Sequence, residues 1–272
     1  MPILGEALSR LPSRRWRWWL ATKVVIAAML VVLPPAASGR IWSPTPHTTW
    51  QWQLTTPVRL SVTAQMFDID LFDNPASVVA ALHRRGRHAI CYLDAGTYEN
   101  YRPDAGHFPA FVLGKPNGWP GERWLDIRRL STLGPIMRAR FSLCRRKGFD
   151  GVEADNVDAY ANDSGFPLTA ADQLTYNRWL ARTAHSYGLA IALKNDLDQV
   201  PALERYFDFA LDEQCFEYSE CDKLQPFVAA HKAVFEVEYN LSPGEFCSRA
   251  NALGFMSMRK QMDLGVSRQV CW

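Results

Sequence analysis

Three carboxylates suited to acid–base or nucleophilic work, Glu153, Asp155 and Asp158, crowd one short stretch with the amide of Asn156, and all four are candidates for chemistry. The stretch follows a segment that reads as a helix closed by Arg146, Lys147 and Gly148, and then as a strand over residues 151–155. Basic residues followed by glycine are a helix-stop signal. Side chains two apart on a strand share a face, so Asp155 brings Glu153 with it. The same parity pairs Asp68 with Asp70, Tyr92 with Asp94, Leu211 with Glu213, and Glu236 with Glu238. Two carboxyl groups across a bond can protonate a leaving oxygen while the other attacks or activates water. A concave mouth lined with carboxylates focuses a negative field and attracts a cationic ligand, such as a sugar carrying free amines.

Other chemistries fit less well. The run from Glu153 to Asp158 lacks the glycine and distal glutamate of a calcium loop. The six histidines show no His-x-x-His or His-Glu-x-x-His spacing for zinc. A Ser-His-Asp site lacks its Gly-x-Ser-x-Gly elbow. No metal and no cofactor is expected.

Something must hold these residues at strand ends, and the chain alternates strand and helix signals throughout. Strand patterns fall at 50–54, 66–71, 88–94, 124–127, 151–155, 189–194, 207–213, 234–238 and 255–258. Helices are expected over 76–85, capped by Asn74 and Pro75, over 136–147, from the Thr169/Asp172 capping box to Tyr187, and from Ser242/Glu245 to Gly254. Such alternation implies parallel strands with crossover helices. Counted from Met66 the strands number about eight, and no Gly-x-Gly-x-x-Gly follows the first. The expected fold is therefore an α/β (β/α)8 TIM-type barrel, with chemistry at the C-terminal strand ends. A long loop over residues 95–121, carrying Tyr98, Glu99, Tyr101 and Arg102, is a functional loop by its length.

The first 38 residues carry Arg10, Arg14, Arg15, Arg17 and Lys23, an uncharged run over 24–33, and then Pro34, Pro35, Ala36, Ala37 and Ser38. That order suits a signal peptide, with an N-terminal membrane anchor as the alternative, and leaves 39–272 as one catalytic-type domain. Removing the leader turns 30 basic and 28 acidic residues into 25 and 27. A slightly negative chain without a Lys/Arg run is no nucleic-acid binder. An even count of six cysteines fits an oxidising, extracytoplasmic location, and Cys215 and Cys221 enclose the shortest loop, making them the expected pair. A monomer is expected.

Several ordered motifs go further: Trp50-Gln51-Trp52-Gln53-Leu54, Cys91-Tyr92-Leu93-Asp94-Ala95-Gly96-Thr97-Tyr98-Glu99, Arg102-Pro103-Asp104, Trp119 to Ile127, Gly151 to Tyr160, Leu193-Lys194-Asn195-Asp196, and Asp212 to Cys221. Together they resemble the endo-α-1,4-polygalactosaminidase family, glycoside hydrolase family 114, over nearly all of the chain after the leader. Asp94 is a departure, standing where a small residue is expected. The resemblance implies a secreted endo-acting hydrolase of a galactosamine-containing polysaccharide. It places the catalytic pair on Asp155, here expected as nucleophile, and Glu213, expected as acid/base with retention. A non-catalytic barrel binding an aminosugar polymer is the rival reading. Around the pair, Trp52, Asp70, Tyr92, Asn156, Lys194 and Glu238 are expected to contact substrate, with Asp68 and Asp94 also in the cleft.

Overall fold

A computed structural model describes residues 41–272; the expected leader over 1–38, with its cleavage or anchoring, lies outside the described residues. The strands run in chain order as β1 (Trp50–Trp52), β2 (Met66–Asp70), β3 (His88–Asp94), β4 (Thr97–Glu99), β5 (Leu113–Pro116), β6 (Glu122–Leu125), β7 (Gly151–Asp155), β8 (Ala190–Lys194), β9 (Phe209–Glu213), β10 (Val234–Glu238), β11 (Met256–Arg259) and β12 (Gln269–Val270). The helices are α1 (Ala76–His83), α2 (Leu130–Lys147), α3 (Ala170–Ser186), α4 (Val200–Leu203), α5 (Gln225–Ala229) and α6 (Pro243–Leu253).

The main sheet is ordered β1-β2-β3-β7-β8-β9-β10-β11-β12. Every neighbouring pair from β1 to β11 is parallel. These eight strands curl into a TIM-type barrel, as the alternation predicts, but their identities differ in two places. Trp50–Trp52 is the first barrel strand, pairing with Met66–Asp68 of β2. The run at Trp124 is not a barrel strand. It belongs to β6, the middle of a small antiparallel sheet with β4 and β5 inside the long excursion after β3. A four-residue apolar run looks alike in both settings, and only the strand it pairs with tells them apart.

Among the described residues β1 and β11 share no ladder. The segment over 264–270 fills the seam instead. Leu54 N donates to Leu264 O at 3.0 Å, Gln51 Nε2 to Val266 O at 3.0 Å, and the Arg268 guanidinium to Trp50 O. On the far side β12 pairs antiparallel with β11.

Two apolar cores follow from this closure. Phe67, Leu93, Phe141, Val152, Leu180 and Phe227 pack between the sheet's outer face and the helices. Trp50, Trp52, Ile90, Ala192, Leu211, Phe235, Val237 and Met258 fill the barrel interior. Helix signals held at Thr169, whose side chain accepts from Asp172 N, and at Gly148, which ends α2 with φ 92. Asn74 does not cap α1: its amide turns back to Asp70 O, and Pro75 takes the cap position. Disulfides link Cys91 with Cys144, Cys215 with Cys221 as expected, and Cys247 with Cys271.

Candidate active site

Three parallel neighbours, β7, β8 and β9, end in Asp155, Lys194 and Glu213. Their interior faces below carry Glu153, Ala192 and Leu211, so the layer under the three side chains is apolar apart from Glu153. Lys194 is the hub. Its Nζ lies 2.9 Å from Asp155 Oδ1, 2.7 Å from Glu213 Oε2 and 3.5 Å from Glu153 Oε1, and 5.1 Å from the centre of the Trp52 ring. Burial alone would strip the lysine of its charge, but the surrounding carboxylates raise its pKa well above the ordinary lysine value.

Asp155 is fixed by further donors. The Tyr92 hydroxyl donates to Oδ2 at 2.8 Å, and the Asn156 N–H to Oδ1 at 2.8 Å. Asn156 can turn its N–H back in this way because it sits in the left-handed region at φ 59, which Asn tolerates better than most residues. Gly96 packs against it so closely that a Cβ would overlap the Asn156 carbonyl. Burial pushes the Asp155 carboxyl up, but Lys194, Tyr92 and the Asn156 amide outweigh it and hold it below the usual range. Asp155 is thus an oriented, ionised carboxylate. Glu213 is held by Lys194 and by the Tyr239 hydroxyl, which donates to Oε1, while its backbone N–H donates to Asn195 Oδ1 at 3.0 Å.

Beneath them Asp68 and Glu153 are completely buried. Burial, then the neighbouring Asp68, pushes Glu153 far up, and burial raises Asp68 to about 7. Each carboxyl's charge opposes ionisation of the other. Their raised pKa values limit the negative charge packed under Lys194.

The pair opens onto a cavity of about 550 Å³ lined by Trp52, Asp70, Tyr92, Glu99, Arg102, Trp119, Asn156 and Glu213, among others. A cleft of that size holds sugar rings, and its polar groups converge on one end. A model of glycoside-hydrolase family GH114 matches residues 32–272. The chain belongs to this family. It is therefore a glycoside hydrolase.

Among solved structures, this GH114 chain is similar to Aspergillus fumigatus Ega3 in complex with galactosamine, with 39% identity and a TM-score of 0.81 over 85% of this chain and 97% of that one. The glycoside hydrolase domain of PelA from Pseudomonas aeruginosa shares the fold, with a TM-score of 0.63 at 14% identity over 79% of this chain and 95% of that one. An uncharacterised protein of Deinococcus radiodurans strain R1 is 28% identical over 228 residues, 74% of this chain and 72% of that protein.

In the GH114 chain seven of the eight residues expected at the site do border the cleft: Trp52, Asp70, Tyr92, Asp155, Asn156, Lys194 and Glu213. Their roles differ from simple sugar contact. Tyr92, Asn156 and Lys194 hold Asp155, and Trp52 is the floor, 1% exposed. Asp70 is bound to Arg102 at 2.7 Å and accepts from Phe72 N and Asp73 N. The eighth, Glu238, is a correction. The interior face of β10 carries Phe235 and Val237, continued by Tyr239, so Glu236 and Glu238 face outward. Glu238 Oε1 accepts from Phe216 N at 2.9 Å and Glu217 N at 3.2 Å, holding the loop after β9. Asp68 lies under the site and not in the cleft. Asp94 is also buried beside it, accepting from Thr97 and from Asn156 Nδ2 at 2.7 Å.

Sequence reasoning did not single out Tyr239 or Glu122 as cleft residues. Tyr239 continues the apolar alternation of Phe235 and Val237, which was the available signal. Glu122 forms with Asp94 and Glu99 a group of carboxylates close enough to share a cation. Within the chain they already accept from Thr97, Tyr101, Arg102 and Asn117.

Proposed function

We propose that the chain is an exported, endo-acting hydrolase that cuts α-1,4 bonds in a galactosamine-containing polysaccharide with retention of configuration. The observation that carries this reading is the placement of Asp155 and Glu213 on either side of one ammonium at the open end of the barrel. Because each has an oxygen within 3 Å of Lys194 Nζ, the facing oxygens are less than about 6 Å apart, which suits the 5–5.5 Å spacing of retaining pairs better than the wider inverting one.

In this mechanism Asp155, ionised and held in place, attacks the anomeric carbon while Glu213 gives a proton to the departing glycosidic oxygen. Glu213 then takes a proton from water, whose oxygen displaces Asp155 and releases the reducing end. Carboxylates around the cleft favour a protonated sugar amine, and the galactosamine bound in the similar Ega3 structure supports that choice. The leader pattern over 1–38 and three disulfides support export.

The test is incubation of purified protein with partly deacetylated galactosaminogalactan, with mass spectrometry of the products. Shorter oligomers with free amines near the cut are expected. Asp155→Asn and Glu213→Gln should fold and lose about 10²–10⁴-fold in turnover. Binding with no new reducing ends would leave a sugar-binding barrel in place of the enzyme.

A further inference from the structure

Each of the strands that present Asp155, Lys194 and Glu213 is followed by a residue other than glycine in the left-handed region: Asn156 at φ 59, Asn195 at φ 46 and Gln214 at φ 65. That backbone is unfavourable for a residue with a Cβ and persists only where neighbours impose it. For two of the three the next strand does so. Asn195 N donates to Leu211 O at 3.0 Å and its Oδ1 accepts from Glu213 N at 3.0 Å. Gln214 N donates to Val237 O at 2.8 Å. Asn156 is different, because its N–H turns onto the Asp155 side chain at 2.8 Å. The bond that anchors its other side runs from Nδ2 to Asp94 Oδ2, at 2.7 Å.

Asp94 closes β3 and is the ladder partner of Asp155 on β7. Burial, and then the charges of Glu99 and Asp155, push its carboxyl well above the usual range. A carboxyl is a costly choice at such a position. One oxygen serves the turn that follows: Oδ1 accepts from Gly96 N at 3.2 Å and from Thr97 N at 2.7 Å, a task that Asn or Ser also performs at turns. The second oxygen reaches further, accepting from the Thr97 hydroxyl and from the Asn156 amide. Ala95 N and Gly96 N meanwhile donate to Asp155 O at 3.0 and 3.1 Å. Residues 94–97 thus wrap around residues 155–156.

Resting on the hydrolase reading above, we propose that Asp94 is a positioning residue for the attacking carboxylate. It acts through Asn156: Oδ2 holds the amide, the amide holds the left-handed turn, and the turn keeps the Asn156 N–H on Asp155 Oδ1. Lys194 and Tyr92 also hold Asp155, so loss of the Asp94 link lowers turnover without abolishing it.

The test is a double-mutant cycle read by kcat and KM on an α-1,4-galactosamine hexamer, with a crystal structure of each variant. Asp94→Ser keeps an acceptor for the turn, and with it the fold, but has no second oxygen for Asn156. It should lower kcat about ten- to a hundredfold, the worth of one hydrogen bond to a charged group, and leave KM within about threefold. In its crystal structure Asn156 should have left the left-handed region, or its N–H should have left Asp155. Asp94→Asn keeps the turn acceptor and, with the Asn156 amide turned over, a hydrogen bond to it, so kcat should return to within about threefold of wild type. Asn156→Gly holds a left-handed backbone without the side-chain anchor. Adding Asp94→Ser to it should cost less than about threefold more, because the second change then has nothing to act through. Losses that multiply in the double variant would overturn the assignment, as would wild-type kcat in Asp94→Ser. So would a fall in kcat with Asn156 and its bond to Asp155 unmoved. If wild type does not cut the hexamer, the hydrolase reading fails, and the place of Asn156 in the Asp94→Ser crystal still decides whether Asp94 holds it.

Discussion

Replacing Lys194 with methionine removes the charge at the centre of the site while nearly preserving its volume. The side chain is 2% exposed and has three carboxylates within 3.5 Å. Taking away one partner of a buried ion pair costs about 3–5 kcal/mol, because the remaining charge is left uncompensated. In a domain of this size that lowers Tm by roughly 6–20 °C. The loss should depend on pH, and its sign is fixed by the groups involved. In wild type the folded lysine pKa is raised, so its contribution is complete below the unfolded value of about 10.4 and constant between pH 5 and 8. In the variant the carboxyl pKa values rise, and a carboxyl raised in the folded state regains stability as pH falls and it takes up a proton. The gap between wild type and Lys194→Met should therefore be widest at pH 8 and shrink toward pH 5. Turnover should fall at least about 10²-fold, since Asp155 loses a donor that orients it. Thermal unfolding followed by circular dichroism at both pH values, with reducing-end release, measures all of this. A variant that melts within about 1 °C of wild type at pH 8 would refute the reasoning. A gap that widens on acidification would do the same.

Tyr239→Phe removes the hydroxyl donor to Glu213 and should cost about ten- to a hundredfold in kcat/KM with little change in Tm, read by steady-state kinetics and calorimetry. Glu238→Ala orphans the amides of Phe216 and Glu217 and should destabilise by roughly 1–3 kcal/mol for each, measured by urea unfolding. Converting Cys91 and Cys144 to alanine opens a loop with a sequence separation of 53 and, on the chain-entropy model, should cost about 4 kcal/mol in the same assay.

The cleft side of the molecule was largely legible because its signals are local. Gly148 closes a helix, strand β7 follows, and parity places Glu153 below Asp155. The partner on β9 came from the resemblance, and a shared strand parity was enough to aim it inward. The errors arose where a barrel strand is buried on both faces. On β10, glutamates alternate with apolar residues, and polarity alone does not say which set faces in. Glu238 faces out, where its oxygen accepts from amides of the loop after β9, 22 and 21 residues earlier in the chain. The strand count of eight held but one member was misassigned: β1, with three residues, was left outside the barrel, whereas β6 shows the apolar run of a core strand while pairing elsewhere. The Arg102–Asp70 and Lys194–Glu213 pairs join distant segments, so neither is visible before the fold is known.

The seam filled by residues 264–270 bears on how the chain is made. The contacts that close the barrel join residues 206, 215 and 218 positions apart, so during synthesis the edge of β1 waits while nearly every other strand emerges. Non-local closure of this kind slows folding and prolongs the life of an unpaired edge. Fusions or truncations near Arg268 would therefore strike the last step of assembly, and Asp155 and Glu213, already in place at the ends of β7 and β9, would sit in a sheet that has yet to become a barrel.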